Sequence, residues 1–279
     1  MPETEHQSKT DFADWHDIAA RIVDTVDRSS AARRCKVIGI SGSQGSGKST
    51  LAKIVVEHLQ RADVQAVSVS LDDFYLSRSE RNALAKKIHP LLKTRGVPGT
   101  HDTNWLQNTL KTVQSAGSRE LVSFALPIFD KASDDRCGAR DAACEVLVLE
   151  GWCLGVQAQA TLSLTEPINE LERIEDAQGI WRLWVNEQTP LSYQPLWNDI
   201  DYWVQLRPPS FAQVEQWRSQ QEQQIAPDRR MSPEVLRRFI DHYERLTKWQ
   251  WECAPWRPGL LVELAEDHRV ASVETLLED

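Results

Sequence analysis

The sequence has 279 residues, a hydrophobic fraction of 41% and a formal net charge of -9 at pH 7. The acidic balance argues against a nucleic-acid-binding protein, whose contact face would be basic, although a local basic pocket could still bind a small anion. The sequence contains no apolar run of the roughly 18 residues that a membrane-spanning helix needs, so we expect no membrane association.

The N-terminal segment and the cysteines indicate a compartment. Residues 1–10 are polar and carry acidic side chains, unlike a signal or transit peptide. The five cysteines show neither a C-x-x-C pair nor a zinc-like spacing with histidine. We therefore expect a cytoplasmic protein with reduced thiols, as a monomer or a homodimer.

An extension over residues 1–34 precedes the first predicted strand. We expect residues 1 to about 10 to be disordered and the next segment to form an amphipathic helix. Its apolar residues recur at helical spacing and are Phe12, Trp15, Ile18, Ile22 and Val26.

A glycine-rich segment follows a short β-rich run over residues 35–40. It reads G-x-x-x-x-G-K-S, the phosphate-binding loop of P-loop NTPases, and an apolar helical stripe follows over residues 49–62. The glycines let backbone N–H groups face phosphate oxygens, and the helix N-terminus adds positive potential. Lys48 would contact the β- and γ-phosphates, and the Ser49 hydroxyl would be a ligand of Mg²⁺. The predicted ATP-binding residues are Gly42, Ser43, Gln44, Gly45, Ser46, Gly47, Lys48, Ser49 and Thr50.

Two more predicted strands carry acidic residues at their ends. Residues 66–71 lead into Asp72-Asp73-Phe74-Tyr75, and the strand-like run 145–152 contains Glu150. Ligands of open α/β sheets bind at the carboxyl ends of strands. Asp72 is the candidate acceptor of a hydroxyl proton, and strand alternation would send Asp73 to the opposite face. Glu150 would orient metal-bound water, as a Walker B acid does. Asp72 could instead cap a turn or hold Mg²⁺ through water, and Glu150 could be structural.

The remaining pattern predicts alternating helices and strands. We expect a charged helix over residues 79–92, a turn-rich segment 95–102, a helix near residues 105–113, a strand 121–128 and a polar loop 134–142. Helices near 180–185, 211–224 and from Ser232 follow, with strands at 202–206 and 259–264 and a short helix closing the chain. This alternation predicts an α/β protein with the P-loop NTPase/kinase fold, a parallel sheet with helices on both faces, as one domain over residues 1–279.

Several segments together resemble the D-glycerate 3-kinase family, which is related to uridine kinase, phosphoribulokinase and P-loop pantothenate kinase. Beside D-D-F-Y they are R-G-V-P-G-T-H-D from Arg95, P-I-F-D-K ending at Lys131, E-G-W from Glu150, and W-R-S-Q with M-S-P-E-V after it. The last pair matches a lid pattern, which places a lid region at about residues 210–232, with a shorter 225–230 segment than in plant-type members. The resemblance implies phosphorylation of D-glycerate to 3-phosphoglycerate by Mg-ATP, with Asp72 as the general base.

The acceptor implied by this resemblance is a small hydroxy acid. Its carboxylate suits an arginine fork, for which Arg95 is one candidate, with Lys131 and Arg140 as others. His101 and Asp102 could bind its hydroxyls, or could merely close their loop by a hydrogen bond. Asp130, beside Lys131, completes the candidates for acceptor binding.

Arg218 in the lid region could reach the γ-phosphate and act in catalysis. It could also form an exposed i,i+4 pair with Glu222.

Two other functions fit the same sequence. The acceptor could be a nucleoside or pantothenate instead of glycerate, or the chain could be a non-catalytic ATP-binding regulatory protein. The intact set of Lys48, Ser49, Asp72 and Glu150 argues against the regulatory protein, because a pure sensor need not retain a base.

Overall fold

The computed structural model describes residues 14–28, 35–223 and 230–277. The strands are β1 (Val37–Gly42), β2 (Ala66–Ser70), β3 (Val122–Asp130), β4 (Asp135–Cys144), β5 (Val146–Gly151), β6 (Tyr202–Arg207), β7 (Gly259–Leu264) and β8 (Val270–Leu276). The helices are α1 (Trp15–Arg28), α2 (Lys48–Arg61), α3 (Arg78–Lys87), α4 (Thr103–Ser115), α5 (Glu170–Glu175), α6 (Ile180–Gln188), α7 (Gln194–Trp197), α8 (Phe211–Gln223) and α9 (Pro233–Glu252). Six strands form one sheet in the order β2-β5-β1-β6-β7-β8.

The centre of this sheet is parallel and buried. β1 pairs in parallel with β5 and β6, β5 with β2, and β6 with β7. Every residue of β1 and β5 is buried. Their side chains alternate between two apolar cores, with Val37 and Leu147 in one core and Ile38 and Val148 in the other. This arrangement confirms the predicted α/β class with helices on both faces.

α1 completes the core on one face. Its side chains Ile18 and Ile22 are fully buried in the same cluster as Leu51 and Val55 of α2. Asp14 begins the helix, since its carboxylate accepts hydrogen bonds from the backbone N–H groups of His16 and Asp17. The predicted helix is confirmed from Trp15 onward, whereas Phe12 and residues 1–10 lie outside the described ranges.

The prediction of a polar loop over residues 134–142 was wrong. This stretch is most of β4, which pairs antiparallel with β3 to form a separate two-stranded ribbon. Most of β4 is exposed or half-buried. A strand without a buried face carries no apolar alternation, so the periodicity that marks other strands is missing. The ribbon packs on the turn that follows β2.

The prediction of a closing helix was also wrong. β8 runs antiparallel to β7 at the edge of the sheet, with Val262 opposite Val273. The Ala, Glu and Leu residues of this segment favour a helix in isolation, but pairing with the buried β7 overrides that weak preference. Within the described ranges, no helix combines the length and the apolar content that a bilayer crossing requires.

Candidate active site

The phosphate-binding loop joins the end of β1 to the start of α2. Gly45 and Gly47 have left-handed backbones, with φ of 79° and 87°. A Cβ atom on Gly45 would lie 2.8 Å from Cβ of Trp217, so that position requires glycine for space as well as for conformation. Lys48 is the first residue of α2, and its ammonium lies 3.4 Å from the carbonyl oxygen of Ser43. The loop therefore directs a helix N-terminus and a lysine toward one place.

Glu150 lies beside this loop because of strand register. β5 runs between β1 and β2, with Glu150 opposite Ile40 on one side and Ser70 on the other. Its carboxylate is buried, and Oε1 accepts a hydrogen bond of 3.0 Å from the Ser49 hydroxyl. Oε2 is buried and has no hydrogen-bond partner among the described residues.

The Ser49–Glu150 pair fits a magnesium ion. Mg²⁺ in phosphoryl-transfer sites takes one or two protein oxygens together with substrate phosphates. A serine hydroxyl and a carboxylate with one unpartnered buried oxygen supply that donor set, next to the loop that would hold the phosphates.

Asp72 does not lie on a strand, so the alternation argument for Asp72 and Asp73 was wrong. β2 ends at Ser70, and residues Leu71–Phe74 form a 3₁₀ turn. The Ser70 hydroxyl accepts a hydrogen bond of 3.3 Å from the Asp72 backbone N–H, and Asp73 Oδ2 accepts one of 3.3 Å from the Ser70 backbone N–H. The Asp73 carboxylate is thus used to cap the turn.

The Asp72 carboxylate has two side-chain partners. Tyr75 donates a hydrogen bond of 2.7 Å to Oδ1, and Lys131 donates one of 2.8 Å to Oδ2. Burial alone would raise the pKa of Asp72, but the Lys131 charge and these hydrogen bonds outweigh burial and lower it. Burial and the nearby Asp72 charge instead raise the pKa of Asp73. Of these two carboxylates, Asp72 therefore stays ionised more readily.

Two arginines reach the same region from different elements. Arg95 pairs with Asp134, and its guanidinium lies 5.4 Å from the centroid of the Phe129 ring. Arg218 of α8 forms the predicted i,i+4 pair with Glu222, at 2.8 Å.

These groups surround one cavity of about 380 Å³. Its lining includes residues of the phosphate-binding loop and also Asp72. The lining residues are Gln44, Gly45, Lys48, Ser49, Asp72, Tyr75, Arg95, Lys131, Trp152, Arg218, Gln221, Phe239 and Tyr243. Among the described residues that line this cavity, Asp72 is the only one with a carboxylate, whereas four have cationic side chains.

His101 lies behind the cavity rather than in its lining. Its ring stacks on Tyr75 with centroids 4.6 Å apart, and Nδ1 lies 2.6 Å from the Tyr193 hydroxyl. Burial lowers the pKa of His101 to about 4, so the ring is neutral near pH 7, and the Asp72 charge opposes this only in part. Nε2 is buried without a hydrogen-bond partner among the described residues.

Three more predicted acceptor-binding residues also lie outside the lining. Asp102 caps the N-terminus of α4 and accepts a hydrogen bond of 3.3 Å from Arg136. Asp130 accepts hydrogen bonds from two backbone N–H groups of the following turn. Arg140 is exposed on β4, opposite Leu126 of β3. For these residues and His101, direct contact with an acceptor stays a prediction.

Sequence reasoning missed several aromatic walls of the cavity. Tyr75 and Trp152 belong to the recognised segments but received no role, although Tyr75 holds Asp72. Phe239 and Tyr243 belong to the apolar stripe of α9, which reads as core packing. The aromatic content of that stripe was the available signal, since aromatic residues often line small-molecule sites.

Comparison with known sequences places the chain among kinases. It is 35% identical over 223 residues to the uncharacterized kinase mug58 of Schizosaccharomyces pombe, an alignment that covers 74% of this chain and 78% of that protein. It is 27% identical over 220 residues to the chloroplastic D-glycerate 3-kinase of Arabidopsis thaliana, covering 74% of this chain and 46% of that protein. No family model matches the chain.

Comparison of folds gives the same class. The solved D-glycerate 3-kinase of Cryptococcus neoformans var. grubii superposes with a TM-score of 0.75 at 25% identity. The match covers 93% of this chain and 97% of that one. The predicted P-loop kinase fold is thereby confirmed.

Proposed function

We propose that this chain, which belongs to the glycerate-kinase-like family of P-loop kinases, phosphorylates D-glycerate to 3-phosphoglycerate with Mg-ATP. The chain is a phosphotransferase with an alcohol group as acceptor, a class that its similarity to kinases, among them D-glycerate 3-kinases, supports. P-loop kinases in general use ATP with Mg²⁺. The observation that supports D-glycerate as the acceptor is one cavity that is lined by the phosphate-binding loop, by the ionised carboxylate of Asp72 and by Arg95.

The nucleotide side of the cavity would hold the triphosphate. Backbone N–H groups of residues 43–48 and the N-terminus of α2 would bind the β- and γ-phosphate oxygens, with the Lys48 ammonium between them. Ser49 and Glu150 would hold Mg²⁺, which neutralises charge on those oxygens when bound. Arg218, held by Glu222, would stabilise charge on the transferring group.

The acceptor side requires a group that takes the hydroxyl proton. Asp72 fits, because its carboxylate is ionised and lies in the cavity, and each of its oxygens accepts one side-chain hydrogen bond. A carboxylate with a lowered pKa is a weak base, so it would take the proton only late in the reaction. Late proton transfer suits phosphoryl transfer, in which bonding to the attacking oxygen lags behind loss of the leaving group.

Arg95 would bind the acceptor carboxylate. Its side chain lines the cavity and is 25% exposed, with the rings of Tyr75 and Phe129 beside the guanidinium. A planar guanidinium binds a carboxylate through two parallel hydrogen bonds, which an ammonium cannot do. Lys131, another candidate for this contact, is engaged with Asp72.

The test is an ADP-release assay over a panel of acceptors. We expect D-glycerate to exceed glycerol, uridine and pantothenate in kcat/KM, with glycerol at least about tenfold worse because it lacks the carboxylate that a charge-assisted hydrogen bond would hold. ³¹P NMR would identify 3-phosphoglycerate as the product. Lys48→Ala is the control and should lose activity by orders of magnitude. Preference for a nucleoside or pantothenate would overturn the acceptor, and equal use of glycerol would refute the carboxylate contact.

A further inference from the structure

The turn between β3 and β4 contains an aspartate in an unusual backbone conformation. Asp134 has φ of 55°, in the left-handed region that residues other than glycine, asparagine and aspartate seldom adopt. Such residues persist where surrounding contacts determine them, and they are frequent near functional sites. Asp134 Oδ1 accepts a hydrogen bond from Nη1 of Arg95, the proposed partner of the acceptor carboxylate.

A buried arginine fixes Asp134 in place. Arg81 is 1% exposed and pairs with Asp134 Oδ2 at 3.0 Å, while its Nη2 donates a hydrogen bond of 2.6 Å to the Asp134 carbonyl oxygen. The same guanidinium donates to the carbonyl oxygens of Leu76 and Lys93, at 3.2 Å and 2.8 Å. Arg81 therefore joins the turn to the segments on either side of α3, so the Asp134 carboxylate is held at both its backbone and its side chain.

The contact with Asp134 leaves part of Arg95 available. Nη1 of Arg95 donates its hydrogen bond to Asp134. Nε and Nη2 of Arg95 have no hydrogen-bond partner within the described ranges. These two atoms form the edge of a guanidinium that binds a carboxylate at two points. The rings of Tyr75 and Phe129 restrict the plane of the group.

We propose that Asp134 is a positioning residue for acceptor recognition, which orients Arg95 so that its remaining edge receives the acceptor carboxylate. The proposal rests on the proposed function, since it takes Arg95 as the carboxylate contact. Asp134 acts by preorganisation, because an arginine held before binding loses less conformational freedom when the acceptor arrives.

The first test is Asp134→Asn, assayed with D-glycerate and Mg-ATP. Asparagine tolerates a left-handed backbone, so the substitution removes the charge while keeping the turn. We expect the KM for D-glycerate to rise about tenfold, with kcat and the KM for ATP changed by less than about twofold. The matched control is Asp63→Asn, an exposed aspartate with φ of 59° just after α2, which should leave all three constants unchanged.

The second test asks whether Asp134 acts through Arg95. Arg95→Lys should itself raise the KM for D-glycerate, and adding Asp134→Asn to it should raise KM by less than about a further twofold. If Asp134 had only a structural role, the two substitutions would act independently, and their fold-changes in KM for D-glycerate would multiply. Chemical denaturation of Asp134→Asn shows whether loss of the pair with Arg81 lowers stability, and Asp134→Gly is a second variant without the carboxylate, in which the backbone suits the positive φ.

The outcomes separate the two proposals. A parent enzyme that does not phosphorylate D-glycerate would overturn the proposed function. A parent that phosphorylates D-glycerate, together with an Asp134→Asn or Asp134→Gly variant of unchanged KM, would overturn the role of Asp134 alone. Independent, multiplying effects in the double variant would do the same.

Discussion

At the scale of single residues, Asp72 is defined more by its partners than by its place in the sequence. Tyr75 and Lys131 each bind one of its oxygens, and Lys131 comes from the distant β3–β4 turn. The sequence identified Asp72 as the base through a short motif, but no pattern links it to a lysine 59 positions later. Lys131 was predicted to bind the acceptor, and its observed partner is Asp72 instead, so acceptor contact by Lys131 stays a prediction.

The Lys131 contact has a consequence for the pH dependence of the reaction. Burial would raise the pKa of Asp72, and the Lys131 charge is the largest of the opposing influences that lower it. Lys131→Met removes the charge at similar length, so the pKa of Asp72 should rise. Since the base must be ionised, the acidic limb of kcat/KM should move to higher pH.

The measurement is a pH profile of kcat/KM for the acceptor that extends below the ordinary aspartate pKa of about 3.9, because the lowered pKa of Asp72 places the limb of the parent on the acidic side of that value. Lys86→Met, at an exposed position of α3, is the control for loss of one positive charge. Identical acidic limbs in the parent and in Lys131→Met would show that Lys131 does not set the protonation of the base.

Arg218 forms the predicted pair with Glu222, and its catalytic role in the lid region stays a prediction. The sequence left open a lid role and a surface pair with Glu222. The pair is present, but Glu222 is buried and Arg218 is only 14% exposed and lines the cavity. An ion pair shielded from water in this way interacts more strongly than a solvated surface pair. Spacing alone could not distinguish these cases, because burial depends on α9, which packs from elsewhere in the chain. Residues 224–229 of the predicted lid region lie outside the described ranges.

At the scale of elements, α1 is the clearest test of what the N-terminal extension contributes. It falls outside the segments that carry the family resemblance, yet Ile18 and Ile22 are fully buried against α2, the helix that begins at the phosphate loop. Burial of this kind makes α1 part of the structural support of the loop.

Truncation of one buried side chain measures that support. Ile22→Ala should lower the free energy of unfolding by about 2–5 kcal/mol, through lost burial and the cavity left behind. Chemical denaturation would give the value, and Asp24→Ala, exposed on the same helix, should change it by less than about 0.5 kcal/mol. An Ile22→Ala variant as stable as the parent would mean that α1 does not pack as described.

The elements that sequence reasoning found or missed differ in how much they bury. β1 and β5 are wholly buried and rich in β-branched residues, so their apolar runs identified them. β4 and β8 each have a largely exposed face and pair with only one strand. Their existence depends on a partner strand, which local periodicity cannot reveal. The same limit hid the turn that carries Lys131 and Asp134 to the site.

At the scale of the whole molecule, strand order creates the active site. Parallel pairing of β2, β5 and β1 brings three carboxyl ends to one edge, and with them Asp72, Glu150 and the phosphate loop. Three segments far apart in the sequence thus meet without any direct pattern between them. The general rule for open α/β sheets predicted their proximity, whereas the side-chain contacts followed only from the packed structure.

Ligand-linked stability tests this assembly without measuring turnover. A ligand that binds only the folded state raises stability, by about 2.7 kcal/mol at 100 times its dissociation constant. We expect ADP with EDTA to raise the Tm of the parent, because the loop and Lys48 bind phosphate directly. Replacing EDTA with Mg²⁺ should raise Tm further, because the unpartnered oxygen of Glu150 then gains a cation. At about 2–4 °C per kcal/mol for a chain of this order of size, both increments are measurable.

Glu150→Gln should separate the two increments. Glutamine keeps the shape and can still accept a hydrogen bond from Ser49, so the rise in Tm with ADP and EDTA should persist. It lacks the negative charge that a divalent cation requires, so most of the further rise with Mg²⁺ should vanish. Glu57→Gln, at an exposed position of α2, should retain both increments. A Glu150→Gln variant with the full Mg²⁺-dependent increment would remove Glu150 from the metal site, and loss of both increments would indicate instead that Glu150 holds the loop in shape.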